Sequence, residues 1–157
     1  MSIAFFIITA YKGGTMSINE IHNQKILEFI RLNRCDLSNA NLSEIDANIL
    51  NFQNIEELIL SDNKLTTLPK EIGKLQQLKW LVLSDNLLEN IPASISKLVD
   101  LEGLFLSGNK LKKLPKKIIH LKNLKWLSLS ENKDLELNEL QKAWIEDLRK
   151  NGCKILD

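Results

Sequence analysis

Apolar and polar positions repeat along this chain with a step of 23 residues. The segment LILSDN, from Leu58 to Asn63, alternates apolar and polar residues and then ends in a polar turn, and it recurs in similar form three more times. The closing asparagines keep the step: Asn63, Asn86, Asn109 and Asn132. Alternation predicts a strand with one buried face, and a period of about 20–29 residues predicts a solenoid of stacked units.

The rest of each unit predicts a short helical turn on the opposite, convex side. Apolar residues there are three or four positions apart, the spacing of a helix face: Leu65, Leu68, Ile72 and Leu75. A proline precedes each turn, where its missing N–H has no helical partner: Pro69, Pro92 and Pro115. We expect the closing asparagine to bond backbone groups of its own and the neighbouring unit, because its side chain has both a donor and an acceptor.

A degenerate unit precedes the clear ones. Subtracting 23 places seven residues on the inward positions: Cys35, Leu37, Leu42, Ile45, Ile49, Phe52 and Ile55. Ala40 replaces the asparagine and Asp46 replaces the proline, as expected of a terminal repeat. Cys35 then lies in the core, where cysteine behaves as a small apolar residue. We expect no catalytic role for it.

Two segments precede this unit. Residues 3–8 are an apolar run far shorter than the about 20 residues of a membrane span, and no positive charge precedes it, as a secretory signal requires. It is interpreted as an extra element over the solenoid end, as a mis-called start before Met16, or as a cleaved signal. Ser17 and Glu20 have capping-box spacing, which predicts an N-terminal helical cap over residues 17–34.

The 23-residue register ends after Asn132. Asn138 is a predicted N-cap of a helix to about Lys150, Gly152 a predicted stop, and residues 153–155 a last short strand. We therefore divide the chain into residues 1–16, the cap at 17–34, repeats at 35–132 and a C-terminal helix-strand cap at 133–157. Cys35 and Cys153 should lie about 24 Å apart, at about 4.8 Å per strand, so we expect no disulfide between them.

Composition removes several function classes. The chain has 157 residues, 44% apolar content and a net charge of +1, so we expect one globular domain without the positive field of a nucleic-acid-binding protein. The two histidines, His22 and His120, are about four units apart. We therefore expect no metal, cofactor or catalytic site. Two thiols and no convincing signal favour the cytoplasm, with export to a surface as the alternative.

The segment LPKEIGKLQQLKWLVLSDNLL, residues 68–88, resembles the 23-residue leucine-rich repeats of bacterial and intracellular scaffold proteins. It is similar to short spirochaete proteins of this type, to the repeat domains of Roco proteins and to Ras-pathway adaptors. The resemblance implies an α/β solenoid, an arc with a parallel sheet on its concave side. It also implies a protein-binding surface rather than an enzyme, although a fold alone does not fix a function.

Outward strand positions form three columns on the predicted concave face. The first contains alternating charges that can pair across strands, at about 0.2–1 kcal/mol each: Asn33, Glu56, Lys79, Glu102 and Lys125. The second contains Arg34, Glu57, Trp80, Gly103 and Trp126. The third contains Asp36, Ile59, Val82, Phe105 and Ser128.

Five of these residues define what we call the concave patch: Trp80, Trp126, Phe105, Val82 and Ile59. A contiguous exposed apolar patch marks an interaction site, and tryptophan is enriched among binding anchors. We predict that the patch binds a protein or peptide and that Gly103 leaves a slot between the tryptophans. Lys79, Glu102 and Lys125 flank this site. Alternatively, the tryptophans lie flat over their neighbours or are covered by residues 1–15.

Three further features of the sequence are weaker indications of function. A serine ladder without a nearby histidine is interpreted as structural: Ser38, Ser61, Ser84, Ser107 and Ser130. An acidic column offers oxygen ligands that suit calcium, but only as a weak site: Asn39, Asp62, Asp85, Gly108 and Glu131. A lysine cluster is interpreted as a solvated face: Lys110, Lys112, Lys113, Lys116, Lys117 and Lys122. The alternative functions are a carbohydrate or anionic-surface binder, or the recognition subunit of an enzyme complex. We expect a monomer or weak self-association.

Overall fold

The computed structural model describes residues 33–45 and 47–156. These form one parallel sheet of six strands in chain order. The strands are β1 Arg34–Asp36, β2 Glu57–Ile59, β3 Trp80–Val82, β4 Gly103–Phe105, β5 Trp126–Ser128 and β6 Lys154–Leu156. Neighbouring strands from β1 to β5 pair at a separation of 23 residues, as in Leu58 with Leu81. The predicted solenoid register is therefore confirmed.

The convex side consists of 3₁₀ helices. They span Ala47–Asn51, Lys70–Lys74, Ala93–Lys97 and Lys116–His120. Pro69, Pro92 and Pro115 precede the last three of them with extended backbone conformations. Neighbouring turns pack closely, since a Cβ on Gly73 would lie 2.6 Å from the carbonyl oxygen of Ser94. The glycine therefore permits this close approach.

The core lies between the sheet and these turns. Its inward leucines are completely buried, including Leu58, Leu81, Leu104 and Leu127 at 0% exposure. The four closing asparagines, which we call the asparagine ladder, link consecutive repeats as predicted. Nδ2 of Asn86 donates to the carbonyl oxygens of Leu60 at 2.9 Å and Leu83 at 3.1 Å, and Oδ1 accepts from the N–H of Leu65 at 3.0 Å. Asn63, Asn109 and Asn132 make equivalent bonds.

The predicted C-terminal helix is present as α1, Glu139–Lys150. The Asn138 side chain accepts a hydrogen bond from the Gln141 N–H at 3.0 Å, and the Gln141 side chain accepts one in return from the Asn138 N–H at 3.1 Å. Trp144 is buried and donates from Nε1 to the carbonyl oxygen of Leu121 at 3.0 Å. Gly152 follows the helix with φ +87°. The helix therefore closes over the end of the core through its buried face.

The last strand lies one residue later than predicted, because the turn at residues 151–152 and residue 153 precede it. Cys153 and Cys35 are both buried as separate thiols at opposite ends of the sheet, Cys35 in β1 and Cys153 just before β6. Residues 1–16 and the helix of the predicted N-terminal cap lie outside the described residues, so the division of the chain into four segments stays a prediction. In the described part, no helix has the length and apolar character needed to cross a membrane.

Candidate functional site

The sheet register assembles the predicted concave patch. Trp80 pairs with Gly103, and Gly103 pairs with Trp126, across β3, β4 and β5. In the next column, Val82 is a neighbour of both Ile59 and Phe105. All five residues of the concave patch are partly buried. Since strands lie about 4.8 Å apart, the patch extends about 14 Å from β2 to β5.

Trp80 lies at the centre of an aromatic stack. Its ring centroid is 4.8 Å from that of Trp126, with an interplanar angle of 37°. The Phe105 ring centroid is 6.0 Å from that of the same indole, with an interplanar angle of 13°. Offset aromatic pairs at such distances stabilise each other by about 0.5–1.5 kcal/mol beyond burial of their area. The three rings are therefore held in one arrangement by their mutual contacts.

The slot predicted between the two tryptophans is wrong. A Cβ on Gly103 would lie 2.4 Å from Cε3 of Trp80 and 3.0 Å from Cε2 of Phe105. The indole of Trp80 therefore occupies the space that a side chain on β4 would take. Because Gly103 offers no obstacle, Trp80 reaches across β4 to stack on Trp126.

An open depression lies instead beside Trp80, towards β1. Its volume is about 500 Å³. The residues that line it are Arg34, Glu57, Ile59, Trp80, Val82 and Phe105. Arg34 closes one wall, with Nε 2.9 Å from Oε2 of Glu57 and a second contact of 3.3 Å to Asp36. The depression thus combines aromatic and aliphatic walls with one ion pair.

Arg34 and Glu57 line this depression and belong to the column of Trp80, although the sequence did not indicate them as candidate site residues. Their side chains are 34% and 38% exposed. The available signal was their register with Trp80, since the column Arg34, Glu57, Trp80 is read directly from the 23-residue step. The sequence did not predict the orientation of the Trp80 side chain.

The first outward column is paired with itself, as predicted. Nζ of Lys79 is 2.6 Å from Glu56, and Nζ of Lys125 is 2.8 Å from Glu102. The hydrogen bond from Lys79 is the main cause that lowers the pKa of Glu56, and the same bond raises the pKa of Lys79. We call these four residues the paired edge. It lies at the amino ends of the strands and carries no net charge.

The acidic column has a backbone explanation. Residues 39, 62, 85, 108 and 131 all adopt φ between +52° and +64°. This left-handed region favours glycine, asparagine and aspartate. The residue types at 39, 62, 85 and 108 therefore follow from the turn and do not indicate calcium, whereas Glu131 is not a favoured type. Within residues 33–45 and 47–156, no three His, Cys, Asp or Glu side chains are grouped so that they could hold a metal ion.

The serine ladder and the lysine cluster are surface features of the repeat. Oγ of Ser107 donates to Oγ of Ser84 at 3.0 Å, which fits a structural role. In the lysine cluster, Lys112 forms an ion pair of 3.0 Å with Glu89. All six lysines are exposed.

The model of the family described as Leucine rich repeat matches three overlapping windows, residues 30–88, 53–111 and 76–133. Together these windows span well over half of the chain. Domains of this family generally mediate protein–protein interactions, and the fold is typically non-enzymatic. No curated protein matches the chain.

Solved structures that match this chain are also of leucine-rich repeat proteins. A leucine-rich repeat protein of Leptospira interrogans is 32% identical with a TM-score of 0.58, covering 74% of this chain and 35% of its own length. The ectodomain of the Arabidopsis thaliana receptor kinase SOBIR1 is 29% identical with a TM-score of 0.55, covering 61% of this chain and 68% of the ectodomain.

A third structure is the ectodomain of the Arabidopsis thaliana receptor kinase GASSHO1/SCHENGEN3 in complex with CASPARIAN STRIP INTEGRITY FACTOR 2. It is 33% identical to this chain, with a TM-score of 0.56. The match covers 62% of this chain and 12% of that one. This chain therefore spans about a third of the Leptospira protein and a small part of the GASSHO1 ectodomain. The repeat register, the asparagine ladder and these matches agree that the chain belongs to the leucine-rich repeat family.

Proposed function

We propose that this chain binds a protein or peptide across the concave face of its sheet, with the concave patch as the contact surface. The observation that carries the proposal is the stack of Trp80, Trp126 and Phe105 beside the open depression. Large aromatic side chains contribute most of the binding energy in many interfaces. A stack that is ordered before binding loses little conformational entropy when a partner arrives.

The dimensions favour an extended partner segment. The patch spans about 14 Å between β2 and β5, and an extended chain rises about 3.3 Å per residue, so about four residues cross it. The depression next to Trp80 accepts one apolar side chain of that segment, with Ile59 and Val82 as neighbours. The family's general role in protein binding supports the same conclusion, as does the complex formed by the GASSHO1 ectodomain.

The test is affinity capture from matched lysates with the intact protein and the variant Trp80→Ala/Trp126→Ala. Circular dichroism and thermal unfolding establish that the variant is folded. A matched control is Val99→Ala/Leu140→Ala, because these side chains are 51% and 70% exposed and lie outside the concave patch.

We expect a protein that is captured by the intact chain and the control but not by the tryptophan variant. The proposal fails if the folded tryptophan variant captures the same proteins as the intact chain.

A further inference from the structure

The two edges of the concave face differ in charge. The paired edge is neutral, because Lys79 and Lys125 each contact a glutamate. The opposite edge, at the carboxyl ends of the strands, has three exposed carboxylates, which we call the acidic edge: Asp62, Asp85 and Glu131. Among the residues that the structure describes, no ion pair involves any of these three. These three carboxylates therefore form no direct ion pair, unlike the glutamates of the paired edge, and the exposed Lys64 and Lys133 follow two of them in the chain.

The acidic edge lies close to the depression. Ile59 and Val82 end their strands, and Asp62 and Asp85 follow three residues later, a distance of at most about 10 Å at about 3.3 Å per residue. That distance is about one Debye length at 0.1 M salt, so the carboxylates act on a ligand seated in the patch.

The backbone holds the acidic edge in position. The N–H of Asp62 donates to the carbonyl oxygen of Ser84 at 3.1 Å, and the N–H of Asp85 donates to that of Ser107 at 2.9 Å. Oδ1 of Asp85 lies where a Cβ on Gly108 would be, at 2.3 Å from it. The glycine therefore leaves this carboxylate exposed. Asp62 and Asp85 sit on adjacent repeats, so their like charges reinforce one potential.

We propose that the partner segment is both basic and apolar. In this arrangement, which rests on the proposed function, an aromatic or large aliphatic side chain enters the depression beside Trp80. A lysine or arginine two to four positions away in the segment, with its side chain directed towards the carboxyl ends of the strands, reaches Asp62 and Asp85. An acidic segment is disfavoured because its charges would face the like charges of the acidic edge.

The test is a selection from a random twelve-residue peptide display library on the intact protein, with removal of binders to the Trp80→Ala/Trp126→Ala variant. We expect the remaining peptides to contain lysine or arginine two to four positions from an aromatic or large aliphatic residue. Synthetic versions of the best peptides are then measured by fluorescence anisotropy at low and high salt.

The decisive variant is Asp62→Asn/Asp85→Asn. Asparagine tolerates the left-handed backbone as well as aspartate does, so this variant removes charge without changing the turn. The matched control, Glu71→Gln/Glu136→Gln, removes the same charge from the convex side and the turn region. For two exposed charge pairs we expect the decisive variant to weaken binding about three- to thirtyfold at low salt, and the control to leave it unchanged.

The outcomes separate this inference from the proposed function. If no selected peptide depends on the tryptophans, the proposed function fails and this inference fails with it. If tryptophan-dependent peptides are selected without basic residues, or bind the Asp62→Asn/Asp85→Asn variant equally well, only this inference is overturned. Sedimentation of the intact protein checks one further possibility: a salt-sensitive oligomer abolished by that variant would identify a second copy as the occupant, which also overturns it.

Discussion

The inward and outward faces of the same sheet differ in how much their residues vary from repeat to repeat. Inward positions carry the same residue in four consecutive strands, since Leu58, Leu81, Leu104 and Leu127 are all completely buried. The outward position just before each of these leucines varies instead: Glu57, Trp80, Gly103 and Trp126. Each inward leucine meets the same surroundings, because every repeat stacks on another like it. The outward residues do not meet the same surroundings in each repeat, so under the proposed function they are the positions that select a partner.

The largest effect should come from an inward position. Replacing the buried Leu81 by alanine should lower the free energy of unfolding by about 2–5 kcal/mol, because it removes apolar contacts and leaves a cavity. The matched outward variant, Val82→Ala on the same strand, should cost about 1 kcal/mol or less, since Val82 is partly exposed. Urea denaturation measures both. Equal losses would contradict the distinction between the two faces.

The second-largest loss in the free energy of unfolding should come from the asparagine ladder. In Asn86→Ala, the buried N–H of Leu65 loses its acceptor. The carbonyl oxygens of Leu60 and Leu83 each lose one donor but keep a second, from Asn63 and Asn109. Since one buried unsatisfied group costs about 1–3 kcal/mol, we expect a loss of about 1–3 kcal/mol. Asn90→Ala, an exposed asparagine in the same repeat, is the control and should be nearly neutral in the same urea assay.

Gly103 is the outward position at which packing matters. Gly103→Ala places a methyl group 2.4 Å from the Trp80 ring, so the indole must move. Overpacking of this kind costs about 1–3 kcal/mol, and the better strand propensity of alanine offsets about 0.5–1 kcal/mol. We expect a net loss of about 1 kcal/mol together with altered near-ultraviolet circular dichroism from the tryptophans. An unchanged spectrum would show that the stack does not depend on this glycine.

Glu131 should give a smaller effect of opposite sign. It adopts φ +56°, where Asp62, Asp85 and Gly108 occupy the equivalent turns. Glu131→Gly should raise the free energy of unfolding by about 0.5 kcal/mol, because relief of the left-handed backbone cost slightly exceeds the added chain entropy. Glu131→Ala removes the same charge but keeps the backbone cost. If alanine stabilises as much as glycine, charge rather than backbone is the cause.

The smallest effect concerns the paired edge and pH. The pKa of Glu56 is lowered by Lys79, so this pair stabilises the fold above the ordinary carboxyl pKa of 4.5 and loses that contribution as pH falls through the lowered value. The pKa of Lys79 is raised, so the contribution is also lost as pH rises through that value, above 10.5. Thermal unfolding of Glu56→Gln should show a weaker dependence on acid pH than the intact chain. Identical pH profiles would contradict a contribution from the pair.

The sequence predicted the repeats well because each inward position is set by the same local contacts. The 23-residue step alone placed Trp80 beside Gly103 and Trp126, and it placed Val82 beside Phe105. Asn138 and Gly152 likewise marked the ends of the C-terminal helix through their local hydrogen bonding and backbone preferences. The binding role of the concave patch stays a prediction.

The sequence by itself determined the sheet order, the asparagine ladder and the columns of the concave face, because a 23-residue step fixes strand register. Only the tertiary structure decided that Trp80 lies over Gly103, which closed the expected slot and left the depression beside Arg34 and Glu57. It also showed that the aspartates at equivalent turns adopt a left-handed backbone, which accounts for their residue type. Both depend on torsion angles and on contacts between strands, which a one-dimensional period does not contain.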